Sequence, residues 1–391
     1  MITMQAFLKQ FINKKKLEYF DFSLVASVFA LCIFGIICIG SATHINLGES
    51  TSNYYSQMVW FASGIVIMVF VAFFINYEAV SRFTIPLYIF NLLMLIAVLL
   101  FGSSANNATR WLRFGPISIQ PSEFAKIIML FCLAKYIDKK KDSINNIFVL
   151  ISICVITAVP VYLIQKQPSL SASLVILSIM IVEVFTAGVS YKIIFTSIAA
   201  VAAAAAVIVW DVLRSPHLFV DKILYSHQIN RIYTFFHPDP SSDSYYQTLK
   251  SINAIGSGQI SGKGLYNGTL NQLSYLPEPH NDFIFSVIGE EFGFIGCMAV
   301  LLLLLFIVFR CIVIASTAED NFSRLIAAGV AGMIAVQTFV NMGVATGVLP
   351  NTGMSLPFVS YGGSSMWANM AAIGLILNIG MKRSKTLFEG V

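Results

Sequence analysis

The sequence predicts an all-α polytopic membrane protein of about ten transmembrane helices with one large extracellular loop. Of 391 residues, 57% are hydrophobic and 11% charged, and the mean hydropathy is +0.79. A soluble chain of this size keeps a largely polar surface, so such a composition belongs to a protein solvated by lipid. Apolar runs of spanning length recur along the chain, and the lysines and arginines fall on alternate connections between them.

The runs lie at about 22–41, 57–75, 83–101, 123–137, 147–165, 170–188, 192–212, 281–310, 322–345 and 362–381. Each is close to the roughly 20 apolar residues that a helix needs to cross a bilayer, with 123–137 the shortest. The first follows Lys14, Lys15 and Lys16 and is too long for the apolar core of a cleavable signal, so it reads as a first span. With the N-terminus inside, the inner segments hold Lys9, Lys14, Lys15, Lys16, Arg82, Lys135, Lys139, Lys140, Lys141, Lys192, Arg310, Arg324, Lys382, Arg383 and Lys385. That is 15 of the 24 basic residues, while the outer connections 42–56 and 346–361 hold none. The positive-inside rule therefore places both ends in the cytoplasm and the 102–122 and 213–280 connections outside. The net charge of +5 follows this topology and implies no nucleic-acid partner. The six cysteines sit in or at the ends of apolar runs, as small core residues rather than a disulfide framework.

The 213–280 connection breaks the bundle pattern. It carries His217, His227, His237, Asp239, Asp243, Arg231, Lys250 and Lys263, the aromatics Tyr225, Tyr233, Phe235, Phe236, Tyr245 and Tyr246, and the small-residue run AIGSGQISGKGLYNGT. Small residues allow tight turns and close backbone approach, and the aromatics predict an ordered loop. GSGQISGKG has the composition of a phosphate loop, but no strand precedes it and no Ser or Thr follows its lysine. His237, Asp239, His280 and Asp282 match no zinc spacing.

Three stretches carry chemistry. In LPEPHNDFIFSVIGEEFGFIG (276–296), Asp282 stands where a loop with Pro277 and Pro279 turns into a spanning helix. A carboxylate there is costly to desolvate and tends to face a cavity or a substrate. Asn281 or Asp282 could equally cap the first free N–H groups of the helix, and position alone leaves both readings open. In RWLRFGPISIQPSEFAK (110–126), Pro121 and Ser122 start a helix, and Glu123 can pair with Lys126 on one face. Arg110 and Arg113 lie at the outer boundary, where guanidinium groups suit bidentate phosphate binding. NMGVATGVLPNTGMSLPFVSYGGSSMWAN (341–369) concentrates Gly, Pro, Ser and Asn at membrane depth, where irregular backbone is tolerated only if it lines a cavity or is buried in protein.

Taken in order, QPSEFAK, RIYTFFHPD, AIGSGQISGKG and the two long stretches above resemble the SEDS family (shape, elongation, division and sporulation) from Arg110 onward. The resemblance implies one membrane domain over 1–391, with 213–280 as its large extracellular loop. It also implies a peptidoglycan glycosyltransferase that polymerises lipid II in cell elongation, division or sporulation, with a class B penicillin-binding protein as partner. It makes Asp282 the catalytic residue, the base for an inverting transfer. Cations for the leaving pyrophosphate fall to Arg110 and Lys263, with Arg231 or Lys126 beside them. Glu123, Glu290, Ser360 and Ser364 complete the expected substrate-binding set, and a divalent cation near the pyrophosphate is compatible with it. A transporter of the same lipid would more typically show two repeated halves, and none is visible.

The chain also departs from the family pattern. Asn281 stands where relatives have Thr. Gln167, Ser169 and Ser171 stand where many have the Glu, Asp and Gly of Glu-Pro-Asp-Leu-Gly-Thr. Any metal held by that Asp is placed in doubt here.

Overall fold

A computed structural model of the chain describes residues 19–43, 50–105, 108–115, 117–214, 218–273, 275–276 and 278–382. Lys9, Lys14, Lys15, Lys16, Arg383 and Lys385, which carry part of the expected orientation, lie outside the described residues, as do His217 and Pro277.

All ten apolar runs fold as helices. They are α1 (Phe22–Ala42), α2 (Ser50–Phe74), α4 (Thr84–Phe101), α5 (Pro121–Lys139), α6 (Ile147–Lys166), α7 (Leu170–Thr186), α8 (Tyr191–Val212), α13 (Ile284–Ser316), α14 (Asn321–Ala345) and α15 (Gly363–Lys382), with α3 (Tyr77–Ser81) a single turn between α2 and α4. Among the described residues, eight are long and apolar enough to cross a membrane by themselves, and α7 is a shorter apolar helix. The exception, α5, carries Glu123, Lys126, Lys135, Asp138 and Lys139. It tolerates them because it packs against α4, α6, α7, α14 and α15 and so faces protein over most of its surface. The chain is thus a multi-pass membrane protein.

One apolar core runs through α1, α2, α5, α7, α13, α14 and α15. The two ends of the bundle are closed differently. At one end Asp21 caps α1 by accepting from the Leu24 N–H at 3.0 Å, and its other oxygen holds Arg310 of α13 at 2.6 Å. Asn378 of α15 donates to the carbonyls of Val71, Ala72 and Ile75, oxygens that the end of α2 leaves without intrahelical partners.

The other end holds the long connections. The 102–122 segment, expected as a loop, contains a small antiparallel sheet of β1 (Ser103–Ala105), β2 (Ala108–Phe114) and β3 (Ile117–Ile119), with β2 in the centre. Arg113 pairs with Ser118 across a tight turn at Gly115, whose φ of +61° is readily adopted only by glycine. The 213–280 connection is largely helical, with α9 (Val220–Ile223), α10 (Ser226–Phe236), α11 (Asp243–Ser257) and α12 (Thr269–Gln272). Asp211, at the end of α8, accepts from the N–H groups of Leu218, Phe219 and Val220 and fastens the start of this segment. Helix α8 itself buries only Asp211 and Val212 and packs chiefly against α9 and α10, so most of its length is left to lipid.

Residues 346–362 fold back between α14 and α15 and press on α1. A Cβ on Gly35 would come within 2.8 Å of the Val359 backbone. Gly35→Ala is expected to push this loop off α1 and to destabilise by about 1–3 kcal/mol, the cost of overpacking a close contact. A lowered melting temperature in detergent would check it.

Candidate active site

Helix α13 begins at Ile284, with Phe283 at its N-cap and no side-chain cap. The Asp282 carboxylate is therefore not spent on the helix start, and the capping alternative fails on geometry. Asn281 is occupied elsewhere, donating to Glu278 at 2.8 Å. The turn that holds Asp282 is instead bracketed by the loop after α14. Asn341 Nδ2 donates to the Asp282 carbonyl at 2.8 Å and to the Met354 carbonyl at 2.6 Å. Ser360 Oγ donates to the Asn281 carbonyl at 2.8 Å and accepts from the Leu356 N–H at 2.7 Å. The Tyr361 N–H donates to the His280 carbonyl at 2.9 Å, and the rings of His280 and Tyr361 meet edge to face. These bonds explain the density of Ser, Asn and Gly in the sequence: the backbone of one loop is holding the backbone of another.

Two arginines converge on the carboxylate from separate elements. Arg231 comes from α10 and Arg110 from β2, and both act electrostatically on Asp282. Gly353, at φ +70°, lies beside Asp282 and Arg231. A Cβ there would lie 3.3 Å from Asp282 Oδ2 and 3.7 Å from Arg231 Nη1. Arg231 Nη1 donates to the Asn351 carbonyl at 3.4 Å. Arg110 Nε donates to the Gln167 carbonyl at 3.1 Å, and its Nη2 donates to the Pro168 carbonyl. Main-chain oxygens of the QKQPSLSA segment thus hold Arg110. A cavity of about 30 Å³ between them is lined by Arg110, Gln228, Arg231, Asn351 and Thr352.

Two guanidinium groups and the Glu278 carboxylate act on Asp282. Burial and the neighbouring Arg231 both press the pKa of Arg110 down, and burial does the same to Arg231. For Asp282 desolvation is the largest effect. It outweighs the attraction of Arg231 and Arg110 and, with repulsion from Glu278, pushes the carboxyl up to about 6. Burial also lowers the pKa of His280, so the imidazole 3.8 Å from Glu278 stays neutral near pH 7. A half-buried carboxylate with a pKa near working pH is well matched to taking a proton, and paired arginines beside it suit an anion.

The other expected site residues are less exposed to substrate. Glu123 and Lys126 form a buried ion pair of 2.7 Å along α5, the local pairing their spacing suggested. Ser364 accepts the Gln120 N–H at 2.9 Å, joining α15 to the strand that leads into α5. Lys263 is not among the charges acting on Asp282. Its Nζ lies 2.7 Å from Glu290, which is fully buried. Arg113 is exposed on β2. Gln57 of α2 belongs to the same network. It donates to the Ser360 carbonyl at 3.3 Å and accepts from the Gly362 N–H at 3.1 Å. Its signal was an amide at the head of an apolar run, which needs a buried partner.

The donor set does not fit a divalent cation. No group of three His, Cys, Asp or Glu that could hold a metal ion converges among the described residues, and the Gln167, Pro168 and Asn351 carbonyls accept from Arg110 and Arg231.

Comparison with known proteins gives a consistent picture. The model of the FtsW, RodA and SpoVE family, described as cell cycle protein, matches residues 22–385. The probable peptidoglycan glycosyltransferase FtsW of Trichlorobacter lovleyi is 34% identical, over 93% of this chain and 94% of that one. The peptidoglycan glycosyltransferase MrdB of Escherichia coli is 32% identical, over 92% and 93%. Among solved structures, a chain of a peptidoglycan synthase complex that coordinates polymerization and crosslinking superposes with a TM-score of 0.77 at 30% identity. It covers 94% of this chain and 99% of that one. The rod shape determining protein RodA of Thermus thermophilus superposes at 0.68 and 28% identity, over 93% and 97%.

Proposed function

The chain belongs to the SEDS family of FtsW, RodA and SpoVE, and from that premise we infer how its loop-rich end works as a peptidoglycan glycosyltransferase. The substrate is lipid II, bound as donor and acceptor, with the whole chain acting as one membrane domain whose 213–280 segment forms the outer wall of the site. Asp282 takes the proton from the acceptor 4-hydroxyl as that oxygen attacks the anomeric carbon of the donor. The bond to the pyrophosphate breaks from the opposite face, which inverts an α-linked donor into a β-1,4 linkage. Arg110 and Arg231 receive the negative charge that develops on the departing pyrophosphate. The observation that carries this reading is the position of Asp282, unspent on its helix and facing two arginines held by main-chain oxygens.

Both termini lie in the cytoplasm and the active end faces outward, where cell-wall precursor is consumed in the bacterial cell membrane. A class B penicillin-binding protein is the partner that crosslinks the product. The full chain with such a partner is expected to convert lipid II into glycan strands. Complete absence of strands with an active transpeptidase would sink the assignment of lipid II.

The base reading also fixes a pH dependence. Asp282 acts only when deprotonated, and its pKa is raised from 3.8 to about 6. The rate of polymerisation should therefore fall about tenfold per pH unit below about 6, an acid limb well above that of an ordinary aspartate. A pH–rate profile flat to pH 4.5 would remove Asp282 from the role of base.

A further inference from the structure

Helix α13 has 33 residues, a rod of about 50 Å, whereas the hydrocarbon core of a bilayer is about 30 Å thick. Residues 294–316 alone suffice to cross it. The helix is also broken between its two parts: Gly293 has φ +64° and ψ −161°, far from helical values. The stretch 284–292 that follows Asp282 is thus a separate half-helix, and something other than helix continuity must orient it.

The small-residue loop after α11 does so. It enters the gap in the helix, where Phe294 N–H donates to the Gln259 carbonyl and Ile295 N–H to the Ile260 carbonyl. Lys263 and Gly264 in turn donate their N–H groups to the carbonyls of Glu290 and Glu291, at 3.0 and 2.9 Å. Backbone meets backbone here, which is why glycines stand on both sides. A Cβ on Gly262 would come within 2.2 Å of the Glu291 carbonyl oxygen, and one on Gly293 within 2.4 Å of the Gly262 nitrogen.

The side chains of the Gly-Glu-Glu step complete the clamp. Glu290 is fully buried and accepts from Lys263 Nζ at 2.7 Å, Leu270 N–H at 2.9 Å, Asn271 N–H at 3.1 Å and Thr269 Oγ1 at 3.2 Å. Glu291 accepts from Ser41 Oγ at 2.5 Å, which ties the same half-helix to α1. With four donors committed to it, the Glu290 carboxylate is occupied within the protein, and Lys263 is neutralised before any phosphate arrives.

We propose that Glu290, Glu291 and Lys263 are positioning residues, a clamp that locks the loop 258–271 into the break of α13 and so sets the angle at which the half-helix presents Asp282. The proposal rests on the glycosyltransferase reading for its consequence and on hydrogen-bond geometry for its existence, so its test has two arms.

In the first arm, hydrogen exchange is followed on the full chain in detergent. Glu290→Gln should speed exchange of the Lys263, Gly264, Leu270 and Asn271 amides by tenfold or more, and that of the first turn of α13 with them. Gly262→Ala, which wedges the loop away without touching a charge, should do the same. Unchanged exchange overturns the clamp even where no polymerisation is detected, a result that would instead count against lipid II as substrate.

In the second arm, lipid II polymerisation by the chain with its partner is measured for Lys263→Met, Glu290→Gln and the double variant. Each single change should lower kcat tenfold or more with KM within twofold. The double variant should be no worse than the poorer single one, because both break the same bond. Lys263→Arg should recover most of the rate. Losses that multiply in the double variant, or a raised KM with kcat intact, would mean separate substrate contacts and overturn the proposal.

Discussion

Asp282→Asn is expected to lower lipid II polymerisation by about 10²–10⁴-fold, the usual worth of a positioned proton acceptor. The amide has nearly the same volume and keeps the turn intact, because the bonds that hold the turn reach main-chain atoms at Asn281 and Asp282 rather than the carboxylate. Stability should move little. The carboxyl has a pKa raised to about 6 in the folded chain against 3.8 for an ordinary aspartate. Its ionised form is therefore a cost to folding above pH 6, and that cost disappears as the pH falls and the group takes up its proton. Asparagine removes this cost and also the attraction to Arg110 and Arg231, two changes of opposite sign. Melting at pH 7 should stay within a few degrees of the parent while glycan strands vanish. Full activity in a well-folded Asp282→Asn variant would return Asp282 to a structural role and send the search for a base to Glu278.

Arg231→Met should cost about 10²–10³-fold in kcat, the range for loss of one preorganised donor to developing negative charge. Methionine keeps much of the apolar stem, so packing of α10 against α8 and α9 through Ile229 survives. A second signature separates this role from a structural one. Arg231 attracts the Asp282 carboxylate and lowers its pKa, against the larger effect of desolvation. Without it the acid limb of the pH–rate profile should move to higher pH, in the direction opposite to that expected from losing Glu278. Arg231→Lys should restore part of the charge but little of the rate, since an ammonium cannot reproduce a planar two-pronged contact. A rate within threefold of wild type in Arg231→Met would place the leaving group elsewhere.

How far the sequence reached differs from residue to residue. Asp282 was visible because a carboxylate at the head of a thirty-residue apolar run is expensive, and few other positions in the chain carry that contradiction. Arg110 was visible as a guanidinium at the outer boundary, a group suited to bidentate phosphate binding. The family resemblance makes Lys263 and Glu290 substrate contacts, but they are 27 positions apart and neutralise each other. The sheet at 103–119 was missed because its three strands are short and its alternation is broken by Asn106, Asn107 and Gly115. The break at Gly293 was equally invisible, since a single glycine inside an apolar run looks like ordinary helix filling.

Sequence alone determined the ten helices and the family whose motifs they carry. The helices follow from a local quantity, the transfer free energy of about twenty consecutive side chains. Only the tertiary structure decided which polar residues face one another. Whether a buried charge serves as ligand, base or clamp depends on partners that arrive from distant segments. Arg231 from α10, Arg110 from β2 and Gly353 from the last loop meet at Asp282, while Lys263 turns to Glu290. Desolvation makes every such pairing matter, and it is set by how helices pack, which composition and spacing do not encode.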